Sequence, residues 1–127
     1  MAEHQPRLLS EDEQTFIKAI AAKLCPDSQE RLLQDLRIAS VRSDGDFLLI
    51  YLAGYDRPNY RGHRNLSCEG RMHTSEGGLI SALVNMDQNE RLLEIEFIYW
   101  DDGKGVTPDW STLSIGSEPA NYGPGAI

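Results

Sequence analysis

The chain has 127 residues and a formal net charge of -8 at pH 7, enough length for one domain whose core needs neither a disulfide nor a metal. That charge argues against a nucleic-acid backbone as the main partner, because neutralising phosphates takes clustered Lys and Arg. With 40% hydrophobic and 25% charged residues the composition is globular, and no apolar run approaches the ~20 residues that span a bilayer.

Taken in order, Ser10 and Glu13 have capping-box spacing, and Phe16, Ile17, Ile20, Ala21 and Leu24 follow at helical intervals. The pattern predicts a helix over 11–24. Pro26 then reads as its stop, with Asp27 or Ser28 capping a second helix whose apolar stripe is Leu32, Leu33 and Leu36. After Ile38 the period changes. Residues 39–42 and 47–53 read as a hairpin turning at Asp44 and Gly45, and the nearly unbroken apolar run FLLIYLA predicts a strand covered on both faces. Residues 54–65 form a loop rich in Arg, Tyr, Gly and Pro. Strands are predicted at 66–74, 79–86 and 92–100, joined by turns at 75–78 and 87–90, which gives a meander. In the last of these, Leu93, Ile95, Phe97 and Tyr99 alternate with Glu94, Glu96 and Ile98, so one face packs on the helices and the other carries acid.

The fold class expected is α+β, two N-terminal helices on one face of a mainly antiparallel sheet of about five strands. The expected core comprises Phe16, Ile17, Ile20, Leu24, Leu33, Leu36, Leu48, Ile50, Leu52, Leu83, Leu93, Ile95 and Phe97. A single domain over 1–127 is expected, with 1–9 and 116–127 as flexible tails. Cys25 and Cys68 stand in no metal-ligand or CxxC spacing and read as reduced thiols. Without a charged and then apolar leader pattern at the start, the expected location is the cytoplasm.

Charge is distributed unevenly. Between Asp87 and Glu118 stand eight carboxylates against Arg91 and Lys104. The candidate partner-binding residues are Glu94, Glu96, Asp101, Asp102 and Asp109 as an acidic rim, with Tyr99 and Trp100 as aromatic anchors beside Trp110. Carboxylates accept charge-assisted bonds from Arg and Lys, and aromatics carry much of an interface's energy. The plainer alternative is that the glutamates only face water and that Trp100 and Trp110 pack inside. A second candidate is the stretch GYDRPNYRGHRN, where Arg57, Arg61, His63 and Arg64, with His73, offer an anion or nucleotide site or an acid-base pair. A solvated loop explains it more simply. Cys68 and His73, an odd number of positions apart, face opposite sides of one strand and make a poor metal pair. Asp101, Asp102 and Asp109 lack the positions of a calcium loop.

The helix LSEDEQTFIKAIAAKL, the short Leu-rich helix after it, the segment ALVNMDQNERLLEIEFIYWDDG and the late Pro-Asp-Trp follow an order that resembles small bacterial immunity proteins of contact-dependent growth inhibition and related polymorphic-toxin systems. The resemblance covers roughly residues 8 to 115. It implies a protein encoded beside a toxin that blocks the toxin's active site or an adjacent surface, and it implies no catalytic residues. The expected function is therefore non-enzymatic: an antitoxin-like inhibitor of a basic protein toxin, a nuclease by expectation. No cofactor, metal ion, membrane or direct nucleic-acid contact is expected.

Overall fold

The computed structural model describes residues 5–59, 62, 64–100 and 107–116. In chain order these form β1 (Arg7–Leu8), α1 (Glu11–Ala21), α2 (Pro26–Arg37), β2 (Ala39–Asp44), β3 (Phe47–Leu52), β4 (Arg64–Thr74), β5 (Leu79–Met86), β6 (Leu92–Tyr99) and β7 (Pro108–Gly116). All seven strands belong to one antiparallel sheet in the order β1-β2-β3-β6-β5-β4-β7. The architecture is α+β with two helices ahead of most of the sheet, but the strand count is seven where about five were expected from the alternation pattern.

The capping box forms as spaced. Ser10 Oγ accepts from the Glu13 amide at 3.1 Å, and Glu13 Oε1 accepts from the Ser10 amide at 2.8 Å. Arg7 also grips Glu13 with two N–H donors at 2.9 and 2.8 Å. That fork ties the N-terminal residues to α1, which is why Arg7 and Leu8, expected to belong to a tail, pair with Val41 and Ser40 as β1. Two helix limits differ from expectation. α1 ends at Ala21, short of residue 24, and Pro26 opens α2 at its first position, with Cys25 as N-cap, rather than stopping α1.

Both helices lie on one face of the sheet. The residues pointing at them are Ala39 and Val41 on β2, Leu48, Ile50 and Leu52 on β3, Ile95 on β6, Ile80, Ala82 and Val84 on β5, and Met72 on β4. Phe16, Ile17 and Ile20 of α1 and Leu32 of α2 close this core. Gly70 lets α1 come close: a Cβ there would lie 2.6 Å from Phe16 Cε1 and 2.9 Å from Leu113 Cδ1. Trp110, partly buried, packs against the core, its ring centroid 5.9 Å from Phe16 and 6.2 Å from Phe97. With Leu113 and Ile115 it docks β7, a strand not among the expected elements.

Among the described residues the other face carries no helix. Leu83, expected in the core, pairs with Glu69 and Glu96 and lies on this open side. β3 is likewise uncovered there: Phe47 and Leu49 are half-buried and Tyr51 is exposed, so its continuous apolar run does not reflect burial on both faces. β3 also joins β6 rather than continuing into β4, so the meander is confined to β4, β5 and β6. No helix among the described residues is long and apolar enough to cross a membrane.

Candidate functional site

On β6 every second residue points away from the helices, which puts Glu94, Glu96 and Ile98 in one row that continues to Trp100 just past the strand. Across β5 the row meets Asn85, Leu83 and Ser81, and across β4 it meets Glu69 and Arg71. On the β3 side Glu94 pairs with Leu49 and Glu96 with Phe47. The open face is therefore an apolar floor of Phe47, Leu49, Leu83 and Ile98 studded with three glutamates.

Glu94 and Glu96 are held by a neutral donor. Asn85, fully buried, uses one amide nitrogen for both Glu94 Oε2 at 2.8 Å and Glu96 Oε1 at 3.3 Å. Among the described residues neither carboxylate meets a cation. Glu69 is only 1% exposed; its Oε2 accepts from Ser81 Oγ at 3.0 Å and Arg71 Nε at 3.2 Å, while Oε1 is buried with no donor. Trp100 is 56% exposed, and its indole N–H donates to Ser81 Oγ at 2.7 Å. Among the described residues this face presents the carboxylates of Glu69, Glu94 and Glu96 as acceptors, met by donors from Ser81, Asn85 and Arg71.

Of the residues singled out from sequence, the structure brings together Glu94, Glu96 and Trp100. Tyr99 pairs with Ile80 and points to the helix side, where burial and the nearby Asp46 raise the pKa of its phenol, so it is not a partner of the glutamates. Asp109 lies on β7, separated from β6 by β4 and β5, and accepts from the Ser111 amide and hydroxyl at 3.1 and 2.6 Å as a local turn. Asp101 and Asp102 lie outside the described residues. Sequence reasoning missed Ser81, Asn85 and the burial of Glu69; the parity of Glu69 with Arg71 and His73 was the one available signal.

Of the arginines in the arginine-rich stretch, Arg57 is the one whose side chain is described. Arg57 turns inward, donating to Asp87 Oδ2 at 2.7 Å and to the Ile50 and Leu92 carbonyls at 2.9 Å each. Its guanidinium is spent on structure. Asp87, 1% exposed, also accepts from Tyr55 Oη at 2.7 Å and from the Asn89 and Arg91 amides at 2.8 and 3.0 Å. Burial alone would raise the Asp87 pKa, but these donors outweigh it and hold the carboxyl below its ordinary value. Arg91 stacks 4.3 Å from the Tyr55 ring centroid and forks onto Asp35 of α2, which raises its pKa further. Arg61 and His63 lie outside the described residues, and Arg64 is described only as the start of β4, paired with Met86. Cys68 is buried in the core and His73 is exposed on the opposite side, as their parity requires.

Comparison with protein-family models, with curated proteins and with solved structures finds no match to this chain.

Proposed function

We propose that this chain is a non-enzymatic immunity protein that binds a cognate basic toxin, a nuclease in the simplest case, and occludes its active site or an adjacent surface. The observation that carries this reading is the pair Glu94 and Glu96, set on a helix-free sheet face without a cation partner among the described residues. Around them lie half-buried Phe47, Leu49, Leu83 and Ile98, with Tyr51 and Trp100 exposed at the margins. An apolar patch with uncompensated acid is complementary to a surface rich in Arg and Lys. A net charge of -8 adds long-range steering to the encounter. The resemblance in element order to toxin-immunity proteins supplies the biological class.

The test is titration against the product of the adjacent upstream gene, co-expressed and then purified. Tight one-to-one capture that suppresses the partner's toxicity is expected. The double reversal Glu94→Lys with Glu96→Lys is expected to weaken capture and flatten its salt dependence. Unchanged affinity in a folded double variant would remove the open face from the interface.

A further inference from the structure

We infer that the open face contains a receptor for a single arginine side chain of the partner, built from Glu96 and Glu69 as acceptors and the Trp100 indole as a stacking wall. The inference rests on the open face being the interaction surface, and it adds the chemical group recognised there.

Three independent observations converge. Glu94 and Glu96 share one amide donor, so two carboxylates on one strand are left with spare lone pairs and no described cation. Glu69, almost wholly buried, presents Oε1 with no donor; such an oxygen is costly unless a donor reaches it. The register then places them together. Glu69 and Glu96 both pair with Leu83 from opposite sides, so their Cα atoms stand two strand spacings apart, about 10 Å. Their side chains flank one aliphatic residue.

The shape of that gap selects the cation. Glu69 and Glu96 stand on either side of Leu83, about 10 Å apart at their Cα atoms, and an extended cation spans that separation better than a point charge. A guanidinium is planar and carries N–H donors on opposite edges, which lets it bond two separated carboxylates while its flat face lies on Leu83 or an indole. A lysine ammonium is a point charge and serves one carboxylate at a time. Trp100 is positioned for the stacking role: its indole N–H is pinned to Ser81, whose hydroxyl donates to Glu69.

Entry to Glu69 involves Arg71. Its Nε sits 3.2 Å from Glu69 Oε2, longer than the about 2.7–2.9 Å of a tight charge-assisted bond, and its side chain is 45% exposed. That guanidinium shows the chemistry the carboxylate accepts.

The experiment is an NMR titration of the full chain with N-acetyl-arginine amide and, separately, N-acetyl-lysine amide, carried into the millimolar range. The arginine probe is expected to saturate, moving the Trp100 indole N–H and the amides of Leu83 and Glu96, with the lysine probe about tenfold weaker. Glu96→Gln and Trp100→Ala should each weaken the arginine probe about tenfold. Both sites are partly exposed, and a wild-type spectrum elsewhere certifies the fold of each. Shifts that do not saturate, equal response to the two probes, or an unaffected Glu96→Gln would overturn the receptor. Because no toxin is present, capture of the toxin without probe saturation sinks the receptor alone, and probe saturation without capture sinks the immunity reading alone.

Discussion

Trp100 is joined to Glu69 by one hydroxyl: the indole N–H donates to Ser81 Oγ at 2.7 Å, and that Oγ donates to Glu69 Oε2 at 3.0 Å. The serine is buried between an exposed aromatic and a buried acid. Ser81→Ala removes the acceptor of one and a donor of the other. The expected loss of stability is about 1–3 kcal/mol, read from the urea midpoint. A midpoint equal to wild type would mean the three groups do not act as a unit.

Gly70 is required by a near-contact, not by its dihedral angles. With Phe16 Cε1 2.6 Å from where a methyl would sit, Gly70→Ala pushes the ring toward Trp110, its tilted ring neighbour. Overpacking of this kind costs about 1–3 kcal/mol. A thermal melt of the variant checks it, and an unchanged melting temperature would show that Phe16 relaxes without cost.

Arg57 separates two readings of its loop. If it serves the fold, Arg57→Ala strands the Ile50 and Leu92 carbonyls and removes one donor from buried Asp87, lowering stability by about 3–5 kcal/mol. An anion-binding arginine would instead lose phosphate affinity with stability intact. Calorimetric unfolding with and without phosphate distinguishes the two.

Acid should destabilise the protein in a defined window. Burial works to raise the carboxyls of Asp87 and Glu13, but donors from Tyr55, Arg91, Asn89 and Arg57 in one case and Arg7 and Ser10 in the other hold both lower than normal. A folded pKa below the unfolded one stabilises above the unfolded value, about 4, and that stabilisation is lost as pH falls through the folded value. The urea midpoint is thus expected to hold steady from about pH 7 to 5 and to drop below about pH 4. Asp87→Asn should be less stable at neutral pH and show a shallower acid limb; an unaltered limb would assign the effect to other carboxylates.

The parts of this fold visible in the sequence are those governed by neighbours along the chain. Ser10 and Glu13 announce α1 because a capping box is local, and the alternation from Leu93 to Tyr99 assigns Glu94 and Glu96 to one side before any partner strand is known. β7 was hidden because PDWSTLSIG shows no clean alternation, its pairing with β4 being irregular between Arg71 and His73. β1 is two residues held by the fork from Arg7 to Glu13, a contact with no sequence pattern of its own. Leu83 was misplaced for a related reason: in LISALVNM apolar residues occupy both parities, and only the register with Glu69 and Glu96 decides which side faces the helices. The acidic row was legible; the buried glutamate across Leu83 was not, since its burial is imposed by strands distant in sequence.

The sheet order has a kinetic consequence. β2–β3 and β4–β5–β6 are assembled from hairpins, with six residue pairs between β2 and β3 and seven between β5 and β6, whereas β3 and β6 meet over three pairs, from Phe47 opposite Glu96 to Leu49 opposite Glu94. Closing that weld brings together chain segments more than forty residues apart, the slow, entropically expensive event in reaching such a topology. Truncating Leu48 or Ile95, which face each other across it, is therefore expected to retard refolding in stopped-flow experiments more than truncations within either hairpin. The same three pairs carry Glu94 and Glu96, so a cation bound there would grip the sheet at this short joint and slow its unzipping.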